Sequence, residues 1–398
     1  MYRMRNPVRP YAWGSRTALP SLLGQPPSGE PQAELWMGAH AADPSWVETP
    51  VGERALNEVI AEEPASVLGE LVAQHFHDHL PYLMKVLAAE EPLSLQAHPT
   101  ADRATVGFRA EERRGVPLDA PQRIYQDTNH KPEMIVALSW FHALCGFRRL
   151  DRTADLFDLL GVARLRDIAS DLRERGEPAL RDAVVDLFAT PHAARAEFVG
   201  WVSAACRSLG EAGGEWAQEA RWVASLARHY PGDPGVVVAL MLNHVRLRPG
   251  EALFLPAGNL HAYLHGVGVE VMANSDNVVR GGLTVKHVDV AELLEVLDTT
   301  PREVPLVVPR RSDGEARYAP PVEEFELVRL SLRRSSPHVL VPGRPRILLV
   351  TRGSAVVAAA DGELELTRGQ SCFVRADDPE VRVTGLGDLY HVEPAYPA

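Results

Sequence analysis

At 398 residues, with 45% hydrophobic and 24% charged side chains, the chain is long enough for two or three domains and reads as globular. Its formal net charge of -12 argues against nucleic-acid or anionic-membrane partners, which need basic fields, so an anionic small substrate would require a local basic pocket. The basic start MYRMRNPVRPYAWGS has no apolar stretch of a secretion signal behind it, no apolar run is long enough to span a bilayer, and Cys145, Cys206 and Cys372 lie far apart; a cytoplasmic protein with reduced, structural thiols is expected.

Residues 1 to about 100 hold short apolar runs between Pro and Gly, such as ELWMGAHAADPS and LPYLMKVL, and end in EPLSLQAHPT. There Ser94, Gln96 and His98 alternate with Leu93, Leu95 and Ala97, and a strand would send the polar three to one face and the apolar three to the other. NHKPEMIVAL then places Glu133 at the mouth of an apolar run that reads as a buried strand, where a carboxylate is either solvated or paired with something positive. From about 150 to 230 the period changes to 3.6, as in LDRTADLFDLLGVARLRDIASDLRERG and EWAQEARWVASLARHY, predicting an all-helical block. Period two returns from Pro249 onward, and a Pro-rich bridge, TTPREVPLVVPRRSDGEARYAPP, precedes a last all-β unit. LRPGEALFLPA (247–257) and LTRGQSCFVRA (366–376) share Leu, Gly, Phe and Ala at the same offsets, but only the first leads to a histidine, His261.

That histidine closes a P-x-G-x-x-H spacing similar to the second half-motif of the cupin family, whose jelly-roll barrels point ligands inward. Each histidine alone reads as readily as a core residue. Together, Gln96, His98, Glu133 and His261 offer two nitrogens and two oxygens on three strand-like segments, a donor set for a borderline divalent ion, zinc first, with room for water or substrate. With a single carboxylate the site would stay positive and suit a developing oxyanion. The polar loop in GVEVMANSDNVVRGGLTVKHVDV is rich in turn-building Asn, Ser, Asp and Gly, but Arg280 and Lys286, with Lys131 and Lys85, are candidates for a phosphate pocket.

YAWGS, ELWMGAH, LPYLMKVL, PLSLQAHP, NHKPEM and PAGNLHAYLHGVGVEVMANSDNVVRGGLT, in this order, resemble the type I mannose-6-phosphate isomerases. The resemblance implies a zinc enzyme, one ion per chain, interconverting mannose 6-phosphate and fructose 6-phosphate through an enediol or enediolate. It also implies a mainly β fold: a cupin catalytic domain (1–147 with 235–300), a helical insertion (148–234) and a second jelly-roll-like domain (301–398). The family's metal ligands fall on Gln96, His98, Glu133 and His261, its catalytic arginine on Arg280, its active-site lysine on Lys131 and its serine on Ser94.

Lys85, Lys286 and Glu270 complete the expected substrate contacts, although TVK stands where the family often reads Thr-Pro-Lys, leaving the aim of Lys286 open. The base is open among Glu270, His265, Asp276, Lys131 and a metal-bound hydroxide, with Lys131 or an activated water preferred. An iron-dependent cupin oxygenase is the rival enzyme, and Gln96 with the basic group speaks against it. A non-catalytic sugar-phosphate binder is the rival from another class, though neither a ligand nor the arginine is missing. No Gly-rich phosphate loop points to a fused nucleotide-transferring domain. A monomer is expected.

Overall fold

The computed structural model of the chain describes residues 1–360 and 362–396. Two antiparallel sheets and one block of helices make up most of its regular structure, with further helices such as Ala101–Arg113 and Val290–Val296 between the strands. The first sheet runs Leu242–Leu247, Phe141–Phe147, His261–Ala273, Tyr82–Ala89, Glu34–Met37, Val8–Arg9. Its hub is the long strand His261–Ala273, which pairs with Gln96–Ala97 and Phe141–Phe147 near its start and with Tyr82–Ala89 and Glu133–Ala137 along its second half. The changeover lies at Gly266, whose φ of 126° and a backbone oxygen of Trp140 only 2.6 Å from where a Cβ would stand leave room for glycine alone.

Tyr82–Ala89 reads YLMKVLAA and is buried on both faces. Tyr82, Met84, Val86 and Ala88 join Ile347, Leu349, Phe373, Tyr390 and Val392 in the core between the two sheets, whereas Leu87 and Ala89 join the inner cluster with Ile135 and Tyr263. By the same alternation Lys85 points inward, a position that an apolar interior tolerates only if the charge is paired.

The predicted helical block is formed by Leu150–Leu160, Ala163–Arg175, Glu177–Ala189, His192–Ala212 and Ala217–His229. Their apolar faces share one core with Leu95, Ala97, Leu144, Phe147, Ala262 and Leu264 of the first sheet. Among the described residues no helix is long and apolar enough to cross a membrane. All three cysteines are buried and free.

The second sheet contains the C-terminal strands, but its order ends Ser371–Val374, Tyr2–Arg5, Trp46–Thr49, Gly52–Ala55. The N-terminal strand is antiparallel to Ser371–Val374, with Tyr2 opposite Phe373. Pairing therefore moves these three early strands out of the sheet that a 1–147 catalytic range would assign them to; hydrogen bonding between chain ends is invisible to a division by composition. The two echoing segments form matching elements: Ala252–Leu255 and Ser371–Val374 occupy the same offsets, and each follows a glycine of positive φ, Gly250 at 87° and Gly369 at 83°.

The expected strand over SLQAH shrinks to Gln96–Ala97. Pro92 and Pro99 bound the segment and cannot donate to a ladder, although Leu95 still exchanges backbone hydrogen bonds with Gly281 and Gly282. Leu95 and Ala97 pack toward the helices as the alternation predicts, but Leu93 packs on the inner cluster of the first sheet instead.

In the second unit, His391 is 1% exposed and its Nδ1 has no hydrogen-bond partner among the described residues. Burial pushes its imidazole down to about 4, against about 6.5 in an unfolded chain. The unfolded state therefore binds the proton first, so this contribution is complete above about pH 6.5 and is lost as pH falls toward 4. In metal-free protein, His391→Gln is expected to make the loss of urea-measured stability between pH 7 and pH 4 smaller by about 3 kcal/mol; an unchanged acid limb would contradict it.

Candidate active site

Three neighbouring elements deliver the polar cluster. Glu133 opens the strand Glu133–Ala137, held between Leu255 on one side and Met272 on the other. His261 opens the long strand directly opposite Gln96, and Gln96 is in turn opposite Arg280 on the two-residue strand Val279–Arg280. His98 follows two residues after Gln96, on the same side.

The donor atoms of His98, Glu133 and His261 all lie within 4.8 Å of one another, and all three side chains are buried. His98 Nε2 is 3.3 Å from Glu133 Oε1, and His261 Nε2 is 3.5 Å from Glu133 Oε2. Gln96 approaches through its amide, with Nε2 3.3 Å from His261 Nε2; a half-turn of the amide presents the oxygen on that side instead. The far nitrogens of the rings are occupied: His98 Nδ1 is 2.8 Å from the Asn277 carbonyl and His261 Nδ1 is 3.0 Å from the Asn259 carbonyl. A carbonyl only accepts, so each Nδ1 carries the hydrogen and each ring turns its Nε2 toward Glu133.

These atoms fit a cation better than they fit one another. His98 Nε2 and Glu133 Oε2 are buried without a hydrogen-bond partner among the described residues, an arrangement that costs on the order of 1–3 kcal/mol per group unless something else occupies the centre. Burial pushes His98 down to about 4 and keeps the ring neutral. Burial acts on Glu133 in the opposite sense, but Lys131, whose Nζ is 3.1 Å from Oε1, holds its carboxyl well below the usual carboxylate range. Two imidazole nitrogens and an ionised carboxylate, with an amide oxygen within a bond rotation, form a donor set that suits zinc.

Beside this cluster lies a row of charges set by register. Lys85 is opposite Trp36 on one strand and Glu270 on the other. Its Nζ is 3.3 Å from Glu270 and 3.7 Å from Glu34, over the Trp36 ring at 5.1 Å, while Trp36 Nε1 donates to Glu34 at 2.6 Å and the Tyr263 hydroxyl donates to Glu270 at 2.9 Å. Burial would discharge Lys85, but Glu34, Glu270 and Glu133 outweigh it and keep the lysine charged. Three buried carboxylates face two ammonium groups, so negative charge is in excess; burial first, then this excess, raises Glu270. A divalent cation at Glu133 reverses the balance.

Arg280 is half-buried, pulled below its ordinary value by burial alone, and has no ion pair among the described residues. Ser94 is half-buried beside Gln96, whereas Lys286 stands on an exposed turn with no contact to the cluster among the described residues. A cavity of about 910 Å³ is lined by His40, His79, His130, Asp276 and Glu324 among others, and by none of the four candidate ligands. Sequence reasoning singled out neither Glu34 and Trp36 nor Tyr263, His40 and His130. The alternation of Glu34 and Trp36 within ELWM was the available signal for the first two.

Residues 1–150 match the family model described as phosphomannose isomerase type I, catalytic domain. Over 398 residues, covering 98% of this chain and 99% of the relative, the sequence is 37% identical to a mannose-6-phosphate isomerase of Salmonella typhimurium. The chain belongs to the type I phosphomannose isomerase family. Likeness extends to Rattus norvegicus, whose mannose-6-phosphate isomerase is 34% identical over 404 residues, covering 93% of this chain and 92% of that one. A crystal structure of a mutant phosphomannose isomerase from Salmonella typhimurium superposes with a TM-score of 0.91 at 36% identity, covering 99% of both chains. A zinc-bound mannose 6-phosphate isomerase gives 0.90 at 34%, again over 99% of both.

Within this family member, Glu133→Gln is expected to weaken zinc binding by more than the roughly 10- to 100-fold that losing an outer-shell partner costs, measured by competition with a chromophoric chelator. Parental affinity in the variant would remove Glu133 from the ligand set.

Proposed function

We propose that the protein is a zinc-dependent aldose-ketose isomerase interconverting mannose 6-phosphate and fructose 6-phosphate, and that Gln96, His98, Glu133 and His261 hold the ion. The observation that carries this reading is the convergence of two imidazole nitrogens on an ionised, incompletely partnered Glu133 carboxylate, in a chain 37% identical along almost its whole length to an enzyme named for that substrate. When bound, the ion supplies Lewis-acid polarisation of a substrate oxygen.

The chain's own groups divide the remaining work. Isomerisation moves a proton between C1 and C2 while negative charge develops on oxygen. Arg280, lacking an acidic partner, is placed to face that charge. Lys131, at the mouth of the Glu133 strand, is placed to carry the proton at Nζ. A second reading assigns proton transfer to Glu270, and a specific observation favours it: its carboxyl is raised by burial and held in orientation by the Tyr263 hydroxyl, which donates to it at 2.9 Å. Lys85, already held by Glu34 and Glu270, serves the substrate from a fixed position rather than as a free cation. Ser94 lies at the edge of the same face, and Lys286 would have to reach in from its turn. A cytoplasmic, monomeric enzyme acting on a small sugar phosphate, without nucleic-acid or membrane partners, completes the proposal.

Activity from fructose 6-phosphate is expected to vanish on chelation and return with zinc; a fully metallated but inactive protein would sink the isomerase reading, and oxygen consumption with bound iron would revive the oxygenase. Arg280→Ala is expected to lose about 10²- to 10³-fold in kcat with zinc retained, which a parental kcat would contradict. Transfer of solvent deuterium into product, followed in Lys131→Gln and Glu270→Gln, separates the two candidates for the base: Lys131→Gln is expected to abolish it, and survival there with loss in Glu270→Gln assigns the proton to Glu270.

A further inference from the structure

The segment that carries Lys131, residues 126–132, contains no helix or strand and so lacks ladder hydrogen bonds to fix it. It is anchored instead on two sides. On the inner side Asn277, fully buried, accepts from the backbone N–H of Gln126 at 2.7 Å and donates to the carbonyl of Asn129 at 2.8 Å. Asp127 accepts from the Ser275 hydroxyl at 2.9 Å and the Asp276 N–H at 3.0 Å. These contacts stay within the catalytic unit.

The outer anchor comes from the other end of the chain. His130 Nε2 is hydrogen-bonded to Glu324, whose side chain is 15% exposed. The adjacent Glu323 holds a second histidine of the catalytic unit, His75, at 2.9 Å, and the ring of Tyr396 stacks on His75 at 3.7 Å with an interplanar angle of 4°. Backbone N–H groups of Ala395 and Tyr396 donate to the Glu323 carbonyl, tying the C-terminal segment into the same clamp. His75, His130 and Glu324 all line one cavity.

From this juxtaposition we infer that Glu324 of the C-terminal β-unit is a positioning residue for the active site: through His130 it fixes the 126–132 segment and so sets where Lys131 stands. Charge alone does not make the contact useful to catalysis. Location does, because His130 is the neighbour of Lys131 and three residues from Glu133, and a displacement of about 1 Å at a reacting group costs up to ~100-fold in rate. The C-terminal unit thereby acquires a task at the site although it contributes none of the proposed metal ligands. The inference rests on the isomerase reading given above.

Zinc-loaded Glu324→Ala and Glu324→Gln test it by three measurements: steady-state kinetics with fructose 6-phosphate, zinc content, and hydrogen exchange resolved to peptides. Glu324→Ala is expected to lower kcat about 10- to 100-fold with a smaller change in KM and no loss of zinc. Exchange should rise over 126–132 and stay unchanged in the helical block. Glu324→Gln keeps an acceptor oxygen for His130 and is expected to recover most of the activity. Parental kcat in Glu324→Ala, failure of glutamine to restore it, or exchange rising throughout the chain would each overturn the positioning role. An inactive parent would remove the isomerase reading instead, and the exchange data would still decide whether Glu324 holds the segment.

Discussion

A carboxylate almost sealed from water is the constraint around which the rest of the structure is arranged. Glu133 is 2% exposed, and an isolated ion in such a place would cost many kcal/mol. Lys131 meets one oxygen, the histidine rings turn their Nε2 atoms inward, and two backbone carbonyls fix the ring tautomers. What remains unsatisfied, one carboxylate oxygen and one ring nitrogen, marks where a cation belongs. The instability of the bare arrangement and its capacity to bind metal have the same origin: groups that cannot satisfy each other are held together by the strands beneath them.

Those strands can hold such a cluster because their other faces are committed elsewhere. Tyr82, Met84, Val86 and Ala88 press the first sheet against the second, and the Tyr82 hydroxyl donates across that boundary to the backbone oxygen of Pro345 at 3.0 Å. Lys85 lies on the opposite face of the same strand, between Glu270 and Glu34. Apolar burial on one side secures the strand that carries a buried charge on the other. The C-terminal unit is thus part of the scaffold of the site, covering the outer face of the sheet that carries it.

Much of this was legible in the residues alone. Period-two alternation in SLQAH, the carboxylate heading MIVAL and the P-x-G-x-x-H turn bring together four side chains that the structure does place side by side. Local pattern sufficed because each residue's inward direction is fixed by its own strand or turn. The setting of Lys85 was not legible: its partners Glu34 and Glu270 are remote in sequence, and only strand register brings them opposite. Leu93 departs from its alternation because flanking prolines interrupt the ladder. Regions 1–147 and 301–398 look independent in sequence, yet Tyr2–Arg5 and Ser371–Val374 are adjacent strands, since hydrogen bonding between chain ends leaves no periodic trace.

That last pairing has a bearing on how the molecule comes into being. The strand Tyr2–Arg5 is paired to residues 371–373, so two segments remote in sequence close the same sheet. During synthesis the first strand can pair with Trp46–Thr49 early, but its other edge emerges with Ser371–Val374 still untranslated and must stay solvated or shielded until that partner is made. The second sheet cannot close before residues 371–374 are made: a product truncated before residue 371 leaves the opening strand with one open edge, exposed to non-native association.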